Sequence, residues 1–140
     1  MIRKVLAAVA GIVTAFIIVG LIESLGHIIY APPAELDYTN SEELNAYIDS
    51  LPVGALLFPL LAWVVASFVG GLVACYISKE KPFLYASLVG GIILLATIAN
   101  LLMIQHPAWF AVVSVLALIL TMYITGSVGY RLPGVGKKLT

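Results

Sequence analysis

Four apolar runs, roughly residues 5–29, 53–77, 83–104 and 107–130, dominate the chain and leave it one class of structure to adopt. A hydrocarbon layer ~30 Å thick is crossed by about 20 helical residues, and each run is that long. Backbone amides and carbonyls cannot go unpaired in lipid, so such a run spans as an α-helix. Composition agrees: of 140 residues, 62% are hydrophobic and 10% charged, and mean hydropathy is +1.11. A soluble domain of this size could not hide so much apolar surface. The expected fold is therefore all-α, a polytopic four-transmembrane-helix bundle forming a single membrane domain over residues 1–140. Arg3 and Lys4 ahead of an apolar run imitate a signal peptide. The run from Val5 to Ile22 exceeds the about 7–15 residues of a signal core, and no small-residue cleavage site follows, so it reads as a retained helix.

Charge orients the helices. Arg3, Lys4, Lys79, Lys81, Arg131, Lys137 and Lys138 fall at the N-terminus, in the second loop and in the C-terminal tail, which alternating spans place on one side. The first loop, residues 31–52, has no Lys or Arg and carries Glu35, Asp37, Glu42, Glu43 and Asp49. The positive-inside rule then puts both termini in the cytoplasm and the acidic loop on the outer face of the membrane. Tyr76, Tyr85 and Tyr130 are expected at the inner boundary, and Tyr30 and Trp109 at the outer, as an aromatic belt. A net charge of zero gives no electrostatic case for nucleic acid, which leaves the lipid bilayer as the partner composition demands. A single cysteine, Cys75, excludes an internal disulfide framework and reads as a small core residue.

The acidic loop has structure of its own. Pro32 and Pro33 end the first helix, because proline lacks an amide donor and restricts the residue before it. Asn40-Ser41-Glu42-Glu43 resembles a capping box with Asn40 as the cap. Leu44, Tyr47, Ile48 and Leu51 then share one helical face, opposite Glu42, Asn45 and Asp49. The expectation is a short amphipathic helix, lying on the outer membrane surface or over the bundle mouth.

Small residues mark the helix contacts. Ala7, Gly11 and Ala15 form one stripe, Ala62, Ala66, Gly70 and Ala74 another, and Thr121, Thr125 and Gly129 a third. Ser67-Phe-Val-Gly70-Gly71 and Ser87-Leu-Val-Gly90-Gly91 are symmetric about the turn between the second and third spans. In an antiparallel hairpin both glycine pairs would lie at one depth and form its closest crossing; packing explains them better than a hinge. Pro59 is expected to kink its helix and leave the carbonyl of Ala55 without a donor. Residues 133–136 with Lys137 and Lys138 read as a flexible tail near anionic headgroups.

One charged residue lies inside an apolar span: Glu23, with His27 one turn later on the same face. Counted from Lys4, Glu23 is about 28 Å along the helix, in the outer third of the membrane. Pro59, Asn100 and Ser114 fall at a similar depth on the other spans, with His27 and His106 above them. An intramembrane carboxylate usually faces the bundle interior or a water-filled cavity. Glu23, His27, Asn100 and His106 are therefore the expected pocket for a ligand or ion. The alternative is that they hydrogen-bond across helices and only secure the packing. A narrower version is a metal site, with Glu23, His27 and His106 offering one oxygen and two nitrogens to zinc or another divalent ion. Glu35 and Asp37 could add oxygens, although a solvated acidic loop explains them as well. Trp63 is expected near mid-membrane with its indole N–H on an acceptor, packed in the bundle in preference to stacking on a substrate. No nucleotide-binding glycine loop, Ser/His/Asp set or zinc-protease motif is present.

Three functions are compatible with these residues. The preferred one is a non-enzymatic protein whose outward-facing polar pocket binds or passes a small ligand or ion, as a homo-oligomer if it transports. The second is a membrane-embedded enzyme using Glu23, His27 and His106 at the outer face. The third is an accessory or structural subunit that packs against a protein partner. The pattern Glu23-Ser-Leu-Gly-His27-Ile-Ile-Tyr-Ala-Pro-Pro33, then Leu51-Pro52-x-Gly54 and His106-Pro107-x-Trp109, resembles a group of small four-helix bacterial membrane proteins with no assigned activity. That resemblance covers most of the chain and implies a bacterial inner-membrane location.

Overall fold

The computed structural model describes residues 1–135. Among these it contains five helices and no strand: α1 (Ile2–Ile29), α2 (Ser41–Ser50), α3 (Val53–Ser78), α4 (Pro82–Met103) and α5 (Ala108–Gly129). The four long helices are the four apolar runs, of 28, 26, 22 and 22 residues, each long and apolar enough to cross a membrane. The chain is a multi-pass membrane protein. Its exterior carries large apolar side chains such as Val13, Ile17, Leu95 and Leu116, which only lipid would accept in such density. Lys137 and Lys138 lie outside the described residues. The tail before them is not loose: Val135 is buried, and the Pro133 carbonyl accepts from Lys79 Nζ at 3.2 Å.

The long helices form a flattened bundle. α3 and α4 each pack on all three other long helices, whereas α1 and α5 sit at opposite corners without close approach. The longest seam joins α1 to α3. There the two small-residue stripes meet, with Ala7, Gly11 and Ala15 buried on α1 and Ala62, Ala66, Gly70 and Ala74 buried on α3. A Cβ built on Gly11 would stand 2.6 Å from the Gly70 carbonyl oxygen, and one on Gly70 would stand 2.5 Å from that of Gly11. Backbones this close need glycine on both sides.

That contact corrects the expected hairpin crossing. Gly70 and Gly90 do not face each other. Gly70 faces α1, Gly71 lies against Thr125 of α5, Gly90 receives Met122 of α5 beside Ser67, and Gly91 has nothing within 4 Å of its Cβ position. Equal depth on two helices does not set their rotation, and here each glycine is turned to a different neighbour. On α5, Thr121 and Thr125 are buried, and their hydroxyls return to the carbonyls of Ala117 and Thr121, both at 2.7 Å. Tyr85, in the first turn of α4, is buried in the core, while Tyr76, Tyr130 and Trp109 are exposed.

At the basic end, Arg3 ties α1 to the C-terminus of α3. Its Nε donates to the Ile77 carbonyl at 2.9 Å and its Nη2 to that of Ser78 at 2.6 Å. A cation there satisfies orphan carbonyls and complements the helix dipole. Glu80, the one acid in this region, pairs with Lys4 at 3.2 Å. Both side chains are about half exposed, so the pair contributes about 0–1 kcal/mol. Lys79 and Lys81 take positive φ, 62° and 45°, to close the short turn into α4. The Lys79 ammonium sits 3.6 Å above the Tyr76 ring, which helps hold that strained residue.

At the acidic end, Asn40 caps α2 as expected. Its Oδ1 accepts from the amides of Glu42 at 3.1 Å and Glu43 at 3.4 Å. Glu43 reaches back to the Asn40 side chain at 3.3 Å and to the Asp37 amide at 3.4 Å, one step beyond the usual reciprocal bond. The Thr39 hydroxyl (2.6 Å) and amide (2.8 Å) both donate to Asp37 Oδ1 and hold its carboxyl below the usual range. This turn is complete above the unfolded carboxylate range and is lost as pH falls through the lowered folded value. Removing the cap by Asn40→Ala will cost about 1 kcal/mol of α2 stability. Amide exchange at Glu42 and Glu43 should quicken accordingly, and unchanged rates would show that the cap is idle.

Candidate functional site

Where α1, α3 and α4 meet below α2, the bundle opens into a cavity of about 180 Å³. Glu23, His27, Asn100 and His106, far apart in sequence, all line it. α1 contributes Glu23 and His27 from its last two turns, because their spacing of four keeps them on one face. Glu23 is half-buried and His27 exposed. Asn100 comes from the end of α4 and His106 from the turn into α5. Ser114, expected in the same layer, is fully buried but does not line the cavity, and its hydroxyl has no partner.

Each group is set by its surroundings. His106 stacks on Phe110 with ring centroids 5.1 Å apart and planes 14° apart. Its Nδ1 lies 2.8 Å from the Ile104 carbonyl oxygen. A carbonyl only accepts, so Nδ1 is the donor in this contact and Nε2 is the ring nitrogen left for other partners. Phe110 also supports Trp63, at 5.8 Å between centroids. Trp63 is buried in the bundle as expected, and in addition it lines the cavity facing Glu23. Pro59, one turn before Trp63, withholds the amide from which Ala55 would accept, and both residues line the cavity.

α2 covers the mouth rather than lying out on the membrane surface. Tyr47, Ile48 and Leu51 from its apolar face line the cavity, and Ile48 and Leu51 pack against the core. Burial, then the nearby Tyr38 phenol, push the Tyr47 hydroxyl above the usual tyrosine range, so it stands as a neutral phenol. Asn45, expected on the outward polar face, instead accepts at Oδ1 from the Gln105 amide at 3.1 Å. It latches α2 to the turn that carries His106. Tyr30 is drawn inward as well, lining the cavity and meeting Phe58 edge-on at 6.1 Å.

Sequence reasoning missed these aromatic walls. Tyr30, Tyr47, Phe58 and Trp63 line the cavity, and only Tyr47, on the apolar face of α2, carried a signal in that direction. Among the described residues no three of His, Cys, Asp and Glu are gathered closely enough to share an ion. Glu23, His27 and His106 border one cavity without forming such a group. Comparison with protein families, curated proteins and solved structures finds no match for this chain.

Proposed function

We propose that this protein uses the cavity beneath α2 to bind or pass a small ligand or ion at the outer face of the membrane. The observation that carries the reading is the convergence of Glu23, His27, Asn100 and His106 on one cavity. Side chains that merely pinned helices together would be expected to bond one another. Instead these four line a space large enough for about six waters. The segregation of Lys and Arg at the opposite end supports an orientation with both termini cytoplasmic and the cavity facing outward.

Cysteine accessibility tests site and orientation together. Cys75 is the sole cysteine and is buried, so Cys75→Ala provides a silent background for Asn100→Cys. A small membrane-impermeant methanethiosulfonate added to intact cells should modify Asn100→Cys within minutes. Modification only after the cells are opened would reverse the orientation, and no modification in either case would remove the water-filled pocket.

A further inference from the structure

Resting on the pocket reading, we infer that the ligand is a small organic cation, an alkylammonium held between the Glu23 carboxylate and a cage of aromatic rings. Four aromatic side chains, Tyr30, Tyr47, Phe58 and Trp63, line the cavity together with one carboxylate. Aromatic faces carry partial negative charge and attract a cation, most strongly where water is excluded. Their apolar bulk also accommodates alkyl groups that a hydrated metal ion does not have.

The other ligand classes fit less well. An anion would meet Glu23 inside and Glu35, Asp37, Glu42, Glu43 and Asp49 in the loop outside, with no Lys or Arg in residues 31–52 or lining the cavity. A divalent metal would need several converging ligands, and no such group is assembled among the described residues. A neutral apolar molecule would displace water from the Glu23 carboxylate and offer it no charge or donor in return. Size narrows the class further. The cavity holds about 180 Å³, below the ~300–1,000 Å³ of pockets for drug-sized ligands, which suits an ammonium with a few carbon atoms. α2 closes over it with Tyr47, so the lid supplies one wall of the cage.

The probe is tetramethylammonium, compared with tert-butanol, a neutral molecule of similar shape, and pivalate, an anion of similar shape. Titration calorimetry on the purified full chain measures affinity. Trp109→Phe leaves Trp63 as the one tryptophan, and its emission reports occupancy of the cavity. Saturable tetramethylammonium binding with a change in Trp63 emission is expected, while tert-butanol and pivalate give neither. Glu23→Gln, close in shape to the native side chain, should weaken binding roughly tenfold or more, and Tyr47→Leu roughly threefold. Equal binding of tert-butanol, or indifference to Glu23→Gln, would overturn the assignment. So would silence toward tetramethylammonium while Asn100→Cys still reacts with thiol reagent, in which case the pocket stands and its ligand is of another class. Silence together with an unreactive Asn100→Cys would remove the pocket and this inference with it.

Discussion

Gly70→Leu will destabilise the protein by about 3 kcal/mol or more, while Gly91→Leu will leave its stability almost unchanged. The two glycines come from the two halves of one sequence echo, Gly70 on α3 and Gly91 on α4, yet their surroundings are opposite. Any side chain on Gly70 meets the Gly11 carbonyl oxygen and Ala15 Cβ, 2.5 and 2.9 Å from its Cβ position. A backbone carbonyl cannot turn aside as a side-chain tip can, so α1 and α3 must separate along their whole seam. Lipid supplies no hydrophobic force to hold separated helices together, and the loss is in packing that nothing replaces. Gly91 opens on empty space, so leucine there adds only lipid-facing surface. Gly90→Leu should fall between the two, because its nearest neighbours, Met122 and Ser67, are side chains with freedom to move. Melting in detergent, or reversible unfolding in bicelles, ranks the three variants. A Gly91→Leu penalty equal to that of Gly70→Leu would refute this arrangement of helices.

Amides in α2 will exchange at least about a thousandfold faster than those in the middle of α3. α2 has ten residues, too few for a helix to persist alone in water. Its backbone stays more than 8 Å, Cα to Cα, from every other helix. What holds it is the Asn40 cap, the apolar contacts of Ile48 and Leu51, and the single Asn45 to Gln105 hydrogen bond. α3, by contrast, is packed on three helices and pairs its backbone internally. Such a difference would let α2 lift from the mouth without disturbing the bundle, as the proposed passage of a ligand through the cavity requires. Asn45→Ala should raise the α2 rates further and leave α3 unaffected. Protection of α2 equal to that of α3 would mean that the mouth is permanently shut.

Sequence and tertiary structure divide the work along a physical line. The four spans were legible because lipid imposes two demands that sequence alone can meet, a length and an internally paired backbone. The α2 helix was legible for a different reason. It lies against water, so its apolar face stands out from Glu42 and Asp49, and Asn40 is a cap that local geometry requires. Counting residues along helices of constant rise is enough to bring Glu23, Asn100 and His106 to the same end of the bundle, where all three line the cavity. What counting could not supply is rotation. In a membrane helix the lipid-facing and core-facing sides are both apolar, so Gly70 and Gly91, or Tyr85 and Tyr76, look alike in the sequence. Only packing decided that Gly70 meets Gly11, that Tyr85 is buried, that Ser114 turns away from the cavity and that Trp63 turns toward it. The same holds for Asn45, whose place on a polar face said nothing of the Gln105 amide brought to it by the distant turn between α4 and α5.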